Sequence, residues 1–127
     1  MPLEVISTDK APKPVGPYSQ AVRMDKLVFT AGQLAFDPNT GTIVGTTIED
    51  QTRQALENVK AILQAGGCTL RDVLKVTIYL KRTSDFAGMN TVYKQFFGEK
   101  APARTTVQAE IVNPKALIEV DAVAGTN

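Results

Sequence analysis

Hydrophobic and polar positions alternate most regularly from Val73 to Lys81. Leu74, Val76, Ile78 and Leu80 point one way and Val73, Lys75, Thr77 and Tyr79 the other, which predicts a strand with one covered face. From Thr47 to Ala65 the period changes. Ile48, Ala55, Leu56, Val59, Ile62 and Leu63 recur at helical spacing, Gly66-Gly67 supplies a stop, and Thr47 with Asp50, or Thr46 with Glu49, resembles a capping box. Ser84 to Phe97 predicts a second helix, with Ser84 as N-cap and Phe86, Met89, Val92, Tyr93, Phe96 and Phe97 as its apolar stripe. Ser19–Met24 and Leu27–Ala31 predict short strands around an Asp25-Lys26 turn. The prolines of Ala11–Pro17 enforce an extended segment that delivers Tyr18 to a defined place, and Asp37-Pro38-Asn39-Thr40-Gly41 is a turn signal.

The last third predicts two more strands, Arg104–Ile111 and Leu117–Ala124, separated by Asn113-Pro114-Lys115. Thr105, Val107, Ala109 and Ile111 share one face of the first strand, and Ile118, Val120, Ala122 and Ala124 one face of the second. Placing both apolar sets under the helices leaves Arg104, Thr106 and Glu119 on the uncovered face. The predicted fold is a single two-layer α+β domain over residues 1–127, with two helices on one face of the sheet. The uncovered face also carries Val73, Thr77, Tyr79, Leu117 and Val123, which is too apolar to stay wet and predicts a homo-oligomer. If the last two strands form a hairpin, Arg104 and Glu119 sit about 20 Å apart, too far for one small substrate. Either the strands are not neighbours, or a shared site needs two chains.

Composition narrows the chemistry. The chain has 127 residues, no histidine and one cysteine, with 14 Lys+Arg against 13 Asp+Glu. The net charge of +1, without a basic stripe, argues against a dedicated nucleic-acid binder. No apolar run approaches the ~20 residues of a membrane span, and Met1–Lys10 lacks a signal-peptide shape, which predicts a cytoplasmic protein. A lone cysteine, Cys68, forms no internal disulfide, and without histidine it lacks an activating base. Asp37 with Glu49 or Asp50 reads as turn and cap chemistry rather than a metal site. Arg104 and Glu119 lead the remaining candidates: a guanidinium fork matches the two oxygens of a carboxylate, and a glutamate can hold or activate water.

Gly16-Pro17-Tyr18-Ser19-Gln20-Ala21, Ala31-Gly32-Gln33, Gln51–Asn58, Asp85-Phe86 with Met89–Tyr93, Pro102-Ala103-Arg104 and Ile118-Glu119 together resemble the RidA/YjgF family of imine deaminases, in register along nearly the whole chain. The resemblance implies a chorismate-mutase-like fold and a homotrimer whose sheets line a central barrel, with active sites between subunits. It implies hydrolysis of 2-enamine and 2-imino acids, such as 2-aminoacrylate, to 2-keto acids and ammonia, with no cofactor or metal and a functional link to pyridoxal-phosphate enzymes. On that match Arg104 binds the carboxylate and Glu119 positions water. Tyr18 lines the site, Gly32 offers backbone contacts, and Asn90 lies near the subunit cleft. Thr106, sharing a strand face with Arg104, is a further substrate-binding candidate. Ala31, Thr105, Thr106 and Val120 depart from the residues common in the family. Competing functions are a non-catalytic binder of small carboxylates and an endoribonuclease or translation inhibitor.

Overall fold

The computed structural model describes residues 3–126. In chain order it contains β1 (Glu4–Ile6), β2 (Ala21–Met24), β3 (Leu27–Thr30), α1 (Ile48–Ala65), β4 (Val73–Leu80), α2 (Phe86–Phe97), β5 (Ala103–Gln108) and β6 (Ile118–Gly125). The strands form one mixed sheet in the order β1-β2-β3-β6-β4-β5. Only β4 and β5 run parallel, because the α2 crossover joins them. The predicted α+β architecture with two helices is therefore correct.

The α1 boundaries follow from local chemistry. Thr47 Oγ1 accepts from the Asp50 amide at 3.2 Å, so Thr47 is the cap. At the other end Gly67 N–H reaches Gln64 O at 3.0 Å and Cys68 N–H reaches Leu63 O at 2.8 Å, with Gly67 at φ 80. This is a Schellman closure, which needs a left-handed residue after the helix and leaves Cys68 buried at 1% exposure. The Asp25-Lys26 turn joins β2 and β3 as expected, with Asp25 at φ 55.

The core lies between the helices and one face of the sheet. Leu56, Val59, Ile62 and Leu63 of α1 and Met89 and Val92 of α2 are buried with Val76 and Ile78 of β4 and Ile118, Val120 and Ala122 of β6. Each large apolar side chain buried there contributes about 1.5–3 kcal/mol.

Several positions depart from the alternation read in the sequence. A register shift between Val73 and Lys75 makes a bulge, so Val73 is buried and Leu74 is 55% exposed, the reverse of the expected order. Leu117 precedes β6 and is buried rather than on the uncovered face; its amide donates to Gln51 Oε1 at 2.8 Å. Ser84 is not an N-cap, because a 3-10 turn over Thr83–Asp85 precedes α2 and Asp85 takes the cap position. The three-residue β1, too short for a periodic signal, pairs antiparallel with β2.

The largest correction concerns β5. Arg104 and Thr106 pair with Val76 and Ile78, both fully buried, so they face the helices, while Thr105 and Val107 are on the uncovered face and exposed. The long arginine stem lies along the layer beneath α2 and lets the charged head sit at its margin. Furthermore, β4 separates β5 from β6, so the last two strands form no hairpin.

Candidate active site

Beyond Thr30 the chain leaves β3 yet stays beside β6. Gln33 N–H donates to Val120 O at 2.7 Å, and Val120 N–H donates back to Gln33 O at 2.9 Å. These bonds press Gly32 against Glu119. A Cβ on Gly32 would stand 2.1 Å from Glu119 Oε2 and 2.8 Å from its Cδ, so only glycine fits without moving the carboxyl. Glu119 and Gly32 open onto a cleft of about 600 Å³ that Tyr18, Ala31, Phe36 and Val112 also line. Tyr18 is 48% exposed, and its Oη accepts from the Val15 amide at 3.2 Å.

Buried amides fix the loops around this cleft. Gln20 accepts from Thr8 N–H at 2.7 Å and donates to Thr8 O and Pro12 O at 3.0 and 2.8 Å, which pins the proline-rich wall. Asn58 donates to Leu34 O and Phe36 O at 3.0 and 2.9 Å. Gln51 donates to Gly45 O and Lys115 O at 3.1 and 3.0 Å. Backbone groups in irregular segments have no ladder partner, and these side chains supply one.

The electrostatics of Glu119 follow from its place on the sheet. Tyr79 is its register partner on β4, and Thr77 is that of Asp121. Burial raises the Glu119 carboxyl above the ordinary carboxylate range, and the neighbouring Asp121 charge raises it further. Burial likewise raises Asp121, opposed by the Tyr79 and Thr77 hydroxyls. Tyr79 is itself raised, chiefly by Asp121. A carboxylate raised in this way is a stronger base than an ordinary one.

Arg104 occupies different surroundings. Its guanidinium carbon lies 4.7 Å from the Tyr93 ring centroid and 5.6 Å from that of Phe86, with Nη1 3.9 Å from Met89 Sδ. Among the described residues Arg104 forms no ion pair. Thr106 shares this layer, with its Oγ1 buried and unpartnered, and half-buried Asn90 is on α2. The structure thus brings Tyr18, Gly32 and Glu119 together, and puts Arg104 and Thr106 on the opposite face of the same sheet. The expectation that Arg104, Thr106 and Glu119 share the uncovered face holds for Glu119 alone. The sequence reading missed Gln20, Asp121 and Tyr93 as parts of the two surroundings. The i+2 spacing of Asp121 from Glu119 on one strand face was the available signal.

No helix among the described residues is long and apolar enough to cross a membrane. The pattern of the family described as Endoribonuclease L-PSP matches residues 8–126. A RutC family protein of Pyrococcus horikoshii is 55% identical over 95% of this chain and 96% of its own length. Human 2-iminobutanoate/2-iminopropanoate deaminase is 42% identical over 94% of this chain and 88% of its own. Among solved structures, Escherichia coli TdcF with bound serine superposes with a TM-score of 0.91 at 41% identity, covering 98% of this chain and 99% of that one. The E. coli YjgF product gives 0.91 at 37% identity, again over 98% and 99%. With the match running from residue 8 to residue 126 and the fold shared throughout, this chain belongs to the L-PSP endoribonuclease family, that of YjgF and RidA.

Proposed function

We propose that this protein hydrolyses 2-imino and 2-enamine acids, such as 2-aminoacrylate, to 2-keto acids and ammonia, at a site shared between protomers of a homotrimer. One protomer offers Glu119, Gly32 and Tyr18, and its neighbour offers Arg104, Thr106 and Asn90. The observation that carries the proposal is the Glu119 carboxyl held against Gly32 in an open cleft, in a chain 42% identical to the human deaminase. Opposite sheet faces keep Arg104 and Glu119 of one protomer apart, so a second copy is needed to unite them. The exposed side chains of Phe29 and Val107 on the uncovered face, 41% and 42% accessible, supply apolar surface for that assembly around a central barrel.

The chemistry needs little more. Arg104 grips the carboxylate bidentately and presents C2 of the imine. The ionised Glu119 takes a proton from a water whose oxygen adds to C2 of the protonated imine, giving a neutral tetrahedral carbinolamine. It gives that proton to nitrogen and takes the remaining hydroxyl proton as the C–N bond breaks, releasing ammonia and the keto acid. Gly32 brings its backbone close to the reacting centre, Tyr18 closes one wall, and Thr106 and Asn90 orient the substrate from the partner side. The imine is supplied by pyridoxal-phosphate dehydratases acting on serine or threonine.

Subunit mixing is the decisive test. Arg104→Ala and Glu119→Gln should each cut the acceleration of keto-acid release from a threonine dehydratase by about 10²-fold or more. Unfolding the two together and refolding them as mixed trimers should restore about a quarter of wild-type activity, because one site in four then joins an intact arginine to an intact glutamate. No recovery overturns the shared site. Serine in TdcF favours one second possibility, carboxylate binding without turnover. A wild-type protein that binds 2-ketobutyrate but never accelerates imine hydrolysis would establish it. Ribonuclease activity is disfavoured by a net charge of +1 and the lack of histidine.

A further inference from the structure

We infer that Tyr93, with Phe86 and Met89 beside it, is the positioning residue for Arg104: an uncharged shelf on α2 that orients the guanidinium while leaving its N–H donors free for a substrate carboxylate. The inference rests on the carboxylate-binding role proposed above. Arginine side chains carry about 2 kcal/mol of rotamer entropy, so an unsupported one binds poorly. A carboxylate partner would hold the head more strongly, but it would occupy the fork and cancel the charge. An aromatic face attracts the cation through its ring quadrupole and leaves the planar edge open.

The geometry has that form. The Tyr93 ring is nearest, at 4.7 Å from the guanidinium carbon, and Phe86 follows at 5.6 Å. The only hydrogen-bond partner of the Arg104 side chain among the described residues is the weak acceptor Met89 Sδ, at 3.9 Å. Tyr93 is itself fixed, being 5% exposed with its ring 4.6 Å from that of Phe97. Its hydroxyl is buried without a partner, so the ring rather than the phenol is the working part. Helical spacing places Phe86, Met89 and Tyr93 on one face of α2, at i, i+3 and i+7. A stripe that reads as ordinary core in the sequence thus has a polar task at its edge.

The test separates orientation from stability by comparing ligand affinity with turnover in the assembled protein. Tyr93→Leu should raise the dissociation constant for 2-ketobutyrate about tenfold, while the saturating rate of imine hydrolysis stays within about twofold. Tyr93→Phe should rescue affinity, since it keeps the ring. Phe86→Leu and Met89→Leu, at a half-exposed site and by a volume-conserving change, should weaken binding about two- to threefold, and they decide the matter should Tyr93→Leu fail to fold. A merely structural role predicts lower amplitude at unchanged affinity in all of them, and that result would overturn the inference. If Arg104→Ala abolishes binding while the Phe86 and Met89 variants bind normally, the shelf alone falls. If Arg104→Ala binds 2-ketobutyrate as tightly as wild type, the proposed carboxylate site falls instead.

Discussion

The two faces of the sheet hold their charged side chains by opposite means. Around Glu119 the surroundings are loops, and their shape depends on amides: Gln20, Gln51 and Asn58 bond to backbone groups that have no ladder partner. Around Arg104 the surroundings are a strand and a helix, and rings and a thioether do the holding. The contrast follows from the charges. An acid pressed into a half-buried cleft is raised by desolvation and by a second acid, so its affinity for a proton depends on its surroundings. A guanidinium never loses its proton, so its surroundings can only aim it. On the proposed function, one region serves proton transfer and the other grip.

Each region can be broken separately. The largest effect is expected at the grip. Arg104→Ala should lower kcat/KM for 2-imino acids by about 10²–10³-fold, through loss of two charge-assisted hydrogen bonds, measured as keto-acid release in a coupled dehydratase assay. Arg104→Lys should recover only part, since an ammonium neither forks nor stacks. Next comes the proton side. Gly32→Ala should displace the Glu119 carboxyl, because the new methyl would meet Oε2 at 2.1 Å, and should cut kcat about 10–100-fold with 2-ketobutyrate affinity largely kept.

A smaller effect is expected from the amides. Gln20→Leu should leave backbone groups of Thr8 and Pro12 unpaired and destabilise the fold by about 2–3 kcal/mol, readable by urea titration.

The smallest effect concerns acidity. Glu119 and Asp121 are both raised in the fold above ordinary values of 4.5 and 3.8, so the native state binds more protons than the unfolded chain between those values and the raised ones. Stability should therefore increase as pH falls through the raised values, and the two ionised groups should be a liability at higher pH. Asp121→Asn should raise Tm at pH 8, flatten its dependence below neutrality and move the acidic limb of the kcat/KM profile to lower pH. A Tm that falls equally at all pH values would refute the electrostatic account.

Much of this was legible in the residues. Helical spacing, Thr47 and the Gly66-Gly67 pair delimit α1 closely, because caps and closures are local chemistry. The resemblance also named Tyr18, Gly32 and Glu119, which meet in one cleft. The facing of β5 was not legible. The set Thr105, Val107, Ala109 and Ile111 looks apolar, but β5 ends at Gln108, and Thr105 and Val107 alone do not decide which face is covered. The aromatic stripe of α2 decides it from outside the strand. The bulge at Leu74 defeats simple alternation for a similar reason, since the inserted residue leaves no mark in composition. The burial of Gln51 and Asn58 was not legible either, because the loop carbonyls that their amides bond are distant in sequence.

The Schellman closure of α1 has one more consequence. It seals the chain's sole thiol, Cys68, away from solvent at 1% exposure. A thiol-reactive dye can tag the protein only when that closure springs open, so tagging speed gives a built-in clock for native-state breathing. Every substituted chain can be timed against the parent on the same clock without adding a probe.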